Sequence, residues 1–96
     1  MALIGSFTKQ PREILDFDID YSTVLTGRID TITGVVLEVS PAGLTLSTPV
    51  ITGNIMKAKV SLGTDAVTYK VTALATSSAG LVYEDELDIL VEEVWV

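Results

Sequence analysis

The sequence predicts an all-β protein, an immunoglobulin-like β-sandwich of about seven strands with an extended N-terminal arm. Residues 67–93 read as two alternating strands around a Ser78-Ala79-Gly80 turn. Short alternating runs separated by Gly, Pro and Asn recur upstream, and no stretch carries a convincing helical period. A small barrel is the alternative closure of the same strands.

The N-terminal residues 1–11 show no period, and Pro11 would interrupt a ladder, so this stretch reads as an extended arm ahead of a single domain over 12–96. Its apolar side chains Leu3, Ile4 and Phe7 need a surface to cover them. From Arg12 onward Leu15, Phe17, Ile19 and Tyr21 share the core-facing parity, opposite Ile14, Asp16, Asp18 and Asp20. Residues 22–28 lack a pattern and end at Gly27, which predicts a bend or a helical turn.

The next strand begins near Asp30 and turns Val35, Leu37 and Val39 inward. Ile32 is offset across Gly34, the mark of a bulge. Ser40-Pro41-Ala42-Gly43 is a turn, followed by a short strand with Leu44 and Leu46 inward. Pro49 sets the following piece at an edge or a strand start, and Gly53-Asn54 turns it into residues 55–62, where Ala58, Val60 and Leu62 alternate with Lys57, Lys59 and Ser61.

After the Gly63-Thr64-Asp65 turn, Val67, Tyr69, Val71, Ala73 and Ala75 form one face, with Leu74 the exception on the other. Tyr69 stands where many sandwiches place a tyrosine whose hydroxyl ties back to the preceding corner; an ordinary core aromatic is the other reading. Leu87, Ile89 and Val91 close the core, with Leu90 among the outward acidic residues Glu86, Asp88 and Glu92.

Composition narrows the functions. Ninety-six residues, 48% of them hydrophobic, build one core. The chain has no cysteine and no histidine, which removes disulfides, Ser-His and Cys-His nucleophile pairs and the common zinc sites. No enzymatic activity and no cofactor are expected. Thirteen acidic residues against six basic give a net charge of −7, a field that repels phosphate backbones and anionic lipids, so neither nucleic acid nor a membrane is an expected partner. The start lacks the pattern of a signal peptide and no run reaches membrane-spanning length, which predicts a soluble chain made in a cytoplasm. A positive mean hydropathy in so small a chain implies apolar surface that meets a partner.

Three clusters invite chemistry. Asp16, Asp18 and Asp20 resemble the opening of a calcium loop, but Tyr21 falls where the turn glycine belongs and Gly27 where the bidentate glutamate belongs. On a strand these carboxylates form a solvated face. Glu84, Asp85 and Glu86, with Glu92 and Glu93, read as charges that discourage edge-to-edge aggregation, a role Lys57 and Lys59 share. Trp95, the only tryptophan, lies in Val94-Trp95-Val96 beyond that acidic pair. It either folds back on its own sandwich or anchors an interface.

Two segments carry a family resemblance. Residues 7–25, FTKQPREILDFDIDYSTVL, followed by Asp30-Thr31-Ile32, and residues 68–93, TYKVTALATSSAGLVYEDELDILVEE, together resemble small tailed-phage proteins described as fibre-tail adaptors. The step Lys9-Gln10-Pro11 with Leu15-Asp16-Phe17-Asp18 and Asp20-Tyr21-Ser22 is its more specific part. Val24 stands where family members often carry a tryptophan, a departure that bears on local packing.

The resemblance implies a virion component, made in the host cytoplasm, that works as a homo-oligomer linking the tail to fibres or to neighbouring tail and portal-proximal proteins. The expected interface residues are Phe7, Lys9, Gln10 and Pro11 in the arm, with Trp95 at the other end of the chain. A capsid decoration protein is the structural alternative, distinguished by copy number. A carbohydrate-binding module ranks below both, because aromatics make up only 6% of the chain and fall mostly within strand patterns.

Overall fold

The computed structural model describes residues 2–22, 25 and 30–93, and these form eight strands in two sheets. In chain order they are β1 (Ala2–Lys9), β2 (Leu15–Asp20), β3 (Ile32–Ser40), β4 (Leu44–Leu46), β5 (Val50–Thr52), β6 (Ile55–Leu62), β7 (Val67–Ser77) and β8 (Val82–Val91). One sheet runs β1-β8-β7-β3 and the other β2-β6-β4, with β5 also paired to β6. The order β3-β7-β8 against β2-β6-β4 is the C-F-G and B-E-D arrangement of the immunoglobulin sandwich.

The core lies between the two inner faces. Phe17, Ile19, Met56, Ala58 and Val60 come from one sheet, and Tyr69, Val71, Ala73, Ala75, Leu87, Ile89 and Val91 from the other. Each large apolar side chain placed there contributes about 1.5–3 kcal/mol. The inward parities of β2, β7 and β8 are those the alternation predicts. The bulge predicted at Gly34 is present as a shift in the β3–β7 register between Ile32 and Gly34, and Ile32 is buried.

Two expectations differ from the structure. Residues 1–11, expected as an arm ahead of the sandwich, contribute β1, which lies parallel to β8 as the edge of its sheet from Ala2↔Asp85 to Lys9↔Val91. A register shift between Leu3 and Gly5 interrupts the alternation, and a lysine occupies the core-facing parity at its end, so the sequence hides the strand. Pro11 falls after the last ladder residue, where its missing N–H costs nothing.

Leu62, expected inward, is exposed because it adopts φ 64°, which turns its side chain off the strand face. The bend expected over 22–28 lies largely outside the described residues, as does Val24. Within it Leu25 is buried, and its N–H donates to Tyr21 O at 3.2 Å, one helical step back.

Candidate protein-protein interface

The chain changes sheets between β1 and β2 through a turn whose residues are tied down individually. Glu13 N–H donates to Gln10 O at 3.1 Å, and Gln10 N–H donates to Glu13 Oε1 at 2.7 Å, a reciprocal closure with Pro11 at the position its fixed φ suits. Lys9 has no exposed surface; its Nζ donates to Gln10 O at 2.8 Å, Pro11 O at 3.2 Å and Leu62 O at 2.6 Å. Three carbonyls match the three donors of an ammonium, which is how a buried lysine is satisfied. Burial pulls the Lys9 ammonium below the ordinary lysine range, while Glu13 and Tyr69 pull the other way.

The remaining arm residues occupy graded positions around Lys9. Phe7 is half-buried and its ring centroid lies 6.5 Å from that of Phe17 on the opposite sheet. Gln10 is exposed and Pro11 half-buried. Together with Arg12 and Glu93 they line a recess of about 320 Å³. Glu92 N–H donates to Lys9 O at 2.9 Å, so the exit of β8 is stitched to the end of β1. The structure thus brings Gln10 and Pro11 beside the residue from which Val94-Trp95-Val96 departs; Trp95 itself lies outside the described residues.

The same end of the sandwich carries the tyrosine corner. Tyr69, 1% exposed, accepts a hydrogen bond from Thr64 N–H at its hydroxyl over 2.9 Å, which selects the corner over the plain core aromatic. Leu62, Gly63 and Ala66 all hold positive φ in this loop, and Ala66 N–H is satisfied by Val91 O at 2.7 Å. Lys9, Tyr69 and β8 together fix a backbone that would otherwise be strained.

A cluster that sequence reasoning passed over holds the opposite end. Asp30 is buried, and its Oδ1 accepts from Thr31 N–H at 2.9 Å, Ala79 N–H at 3.0 Å and the Ser78 hydroxyl. These bonds, led by Ser78, hold its carboxyl down at about 2. Ser78 N–H donates to Thr31 O at 2.8 Å, so the β7–β8 turn is bound to the entry of β3. The only sequence signal was an Asp before a strand and a Ser pair before a turn.

Nearby, Tyr21 is buried with a hydroxyl that has no hydrogen-bond partner among the described residues. Burial and then the Asp85 carboxylate push it up to about 12. Asp85 sits half-buried on the inward parity of β8, and desolvation raises its own carboxyl.

The outer faces differ in charge. On the β2–β6 face Asp16 stands opposite Lys59 and Asp18 opposite Lys57 in the ladder, and Lys57 Nζ lies 4.0 Å from Asp16 Oδ2. Both partners are more than half exposed, so this ion pair contributes little. The other face is acidic, with Glu38, Glu84, Glu86 and Asp88 around Lys70, whose Nζ is 3.4 Å from Glu86 Oε2. Among the described residues no group of three or more His, Cys, Asp or Glu side chains is placed to hold a metal ion.

The family model described as podophage GP4 fiber-tail adaptor protein gp77 matches residues 9–90. No curated protein sequence matches the chain. The matched span starts at the buried Lys9 and runs through β8 nearly to its end, taking in the Lys9 tether, the tyrosine corner and the Asp30 cluster. With most of its length covered, the chain belongs to the podophage GP4 fibre-tail adaptor family, a structural component of the phage tail.

Proposed function

We propose that this chain is a non-enzymatic adaptor subunit, present in several copies, that joins the podophage tail to its fibres or to neighbouring tail proteins through the Lys9 end of the sandwich. The family match over residues 9–90 carries the reading. The chemistry of that end supports it: Gln10, Pro11 and Arg12 from one terminus and Glu93 from the other share one recess. Lys9 spends all its donors inside the chain, so its role is to hold this surface rigid, while Phe7 pins β1 against Phe17. Pre-ordered loops suit an adaptor, because less ordering free energy opposes binding when the partners dock. Synthesis in the host cytoplasm, followed by incorporation, completes the proposal.

The test is the position and copy number of the chain in purified particles, by electron cryomicroscopy and quantitative mass spectrometry. A dozen or so copies at the junction of tail and fibres is the expected result. Hundreds of copies spread over the capsid would make it a decoration protein, and absence from particles would end the adaptor reading. An Arg12→Glu variant should fold normally and enter particles at least tenfold less well, because Arg12 is exposed beside the shared recess.

A further inference from the structure

Each of the two sheets has two edges, and three of these four are blunted. β1 carries the register shift between Leu3 and Gly5, β2 presents the exposed Asp16, Asp18 and Asp20, and β4 and β5 are three residues each with Pro49 between them. The fourth edge is β3, which among the described residues pairs with β7 alone. Past the shift at Gly34 its register runs unbroken to Ser40, with no proline and one charge, Glu38.

The start of β3 is closed by the chain itself. Ile32 N–H donates to Asn54 Oδ1 at 3.3 Å; Thr31 N–H donates to Asp30 Oδ1 at 2.9 Å, and Thr31 O accepts from Ser78 N–H at 2.8 Å. β5 lies against β3 without joining its ladder. From Gly34 to Ser40 alternate residues turn their N–H and C=O groups away from β7, toward the free side. A row of that kind accepts an added strand.

The side chains select which strand. On the inward parity Val35, Leu37 and Val39 pack on the core yet are only half-buried. Their order is the same in both directions about Leu37. A second, antiparallel β3 centred there sets Leu37 opposite Leu37 and Val35 opposite Val39, apolar on apolar at every inward position. On the outward parity the same register sets Gly34 opposite Ser40 and the exposed Val36 opposite Glu38. Centring the pair on Glu38 would bring its two carboxylates face to face, and centring it on Val36 would run it into the shift at Gly34.

We propose that β3 pairs antiparallel with β3 of a second copy about a two-fold axis through Leu37, joining the two β1-β8-β7-β3 sheets into one. The contact gives the copies of the adaptor reading a shared surface, and for its place in the particle it rests on that reading. It is isologous and closes at two copies. A net charge of −7 on each copy, with one Glu38 on either side of the seam, opposes the pairing, so salt strengthens it.

The experiment is sedimentation velocity of the full chain against concentration, at low and high salt, with amide exchange followed along β3. A monomer-dimer equilibrium that stops at two copies and tightens with salt is expected. Alternate amides between Gly34 and Ser40 should slow as the dimer forms, while those of β2 do not. Val36→Glu, at an exposed position, sets like charges opposite each other at two places and should weaken the dimer about tenfold or more. Val36→Lys sets a lysine opposite Glu38 at the same two places and should bind more tightly than the parent at low salt. Combining Val36→Glu with Glu38→Lys should restore pairing.

Circular dichroism confirms that each variant folds. A full chain that stays monomeric, a Val36→Glu dimer as tight as the parent, or Val36→Lys and Val36→Glu dimers of equal strength would each overturn the proposal. Loss of particle incorporation by Val36→Glu with self-association unchanged would assign the edge to a strand of another virion protein and overturn it too. A chain that stays monomeric in solution yet is incorporated at the junction of tail and fibres leaves the adaptor reading standing.

Discussion

The two ends of the sandwich solve one problem with opposite charges. At the Lys9 end a buried ammonium donates to the carbonyls of Gln10, Pro11 and Leu62, in a loop that holds Leu62, Gly63 and Ala66 at positive φ. At the Asp30 end a buried carboxylate accepts from the N–H groups of Thr31 and Ala79 and from the Ser78 hydroxyl. Each charge serves backbone where strands give way to turns. The difference lies in packing around the backbone: the Lys9 end is crowded by β8, whereas the turn at the Asp30 end is open.

A glycine at each end exposes that difference most sharply. A Cβ at Gly63, with φ +104°, would sit 2.6 Å from Val91 Cγ2 and 3.1 Å from Leu44 Cδ1, both in the core. Gly80, with φ +84°, has nothing within 4 Å. Gly63→Ala should therefore destabilise by about 3–4 kcal/mol, combining backbone strain with overpacking. Gly80→Ala should cost about 1 kcal/mol from backbone strain alone. Urea midpoints at unchanged m-value measure both, and equal losses would show that crowding does not distinguish the ends.

Lys9→Met comes next. The thioether can occupy the apolar path of the lysine stem, but it takes the ammonium donor from the Pro11 and Leu62 carbonyls and leaves Gln10 O only Glu13 N–H, and a loss of about 2–3 kcal/mol is expected. The loss should fall on the corner: amide exchange at Ala66 and Glu92, whose N–H groups bond Val91 O and Lys9 O, should accelerate before exchange at the Ala79 end does. A uniform change in exchange would mean that Lys9 supports the whole sandwich instead of this corner.

Asp30 predicts the acid limb of stability. Its carboxyl titrates at about 2 in the folded chain against 3.8 ordinarily, so the folded state binds the proton less readily than the unfolded one. The stabilisation is complete above the unfolded value and disappears as pH falls through the folded one. Asp30→Asn should be less stable than the parent at pH 7, and the gap between their urea midpoints should close between about pH 4 and pH 2. A gap that persists at pH 2 would assign the effect to geometry instead of charge.

How much of this was legible in the sequence depends on whether the signal was local. The inward parity of Phe17, Ile19 and Tyr21, the Gly34 bulge and the Tyr69 corner were readable because each follows from neighbours a few residues apart. β1 was hidden because its partner β8 lies some eighty residues away (Ala2↔Asp85), and because Lys9, a charged residue, sits on its core face. The interface candidates Phe7, Gln10 and Pro11 were found through resemblance, but the proximity of Gln10 and Pro11 to Glu93 is a product of the parallel β1–β8 ladder and has no sequence pattern. Asp30 was hidden for the same reason, since its bonds to Ser78 and Ala79 span the length of β3 through β7.

The smallest effect is the most discriminating, because it sets two tyrosines of equal burial against each other. Tyr69 and Tyr21 are both 1% exposed. The Tyr69 hydroxyl holds Thr64 N–H, whereas the Tyr21 hydroxyl has no partner among the described residues and lies within the field of Asp85. Tyr69→Phe removes an acceptor and leaves a loop N–H unsatisfied, with an expected loss of about 1–1.5 kcal/mol. Tyr21→Phe removes a buried hydroxyl that has no partner among the described residues, so stability should hold or rise by up to about 1 kcal/mol. The same deletion of one oxygen should thus carry opposite signs at the two ends. A loss at Tyr21 equal to that at Tyr69 would mean that its hydroxyl is hydrogen-bonded in solution, and that this end too is held by a tyrosine.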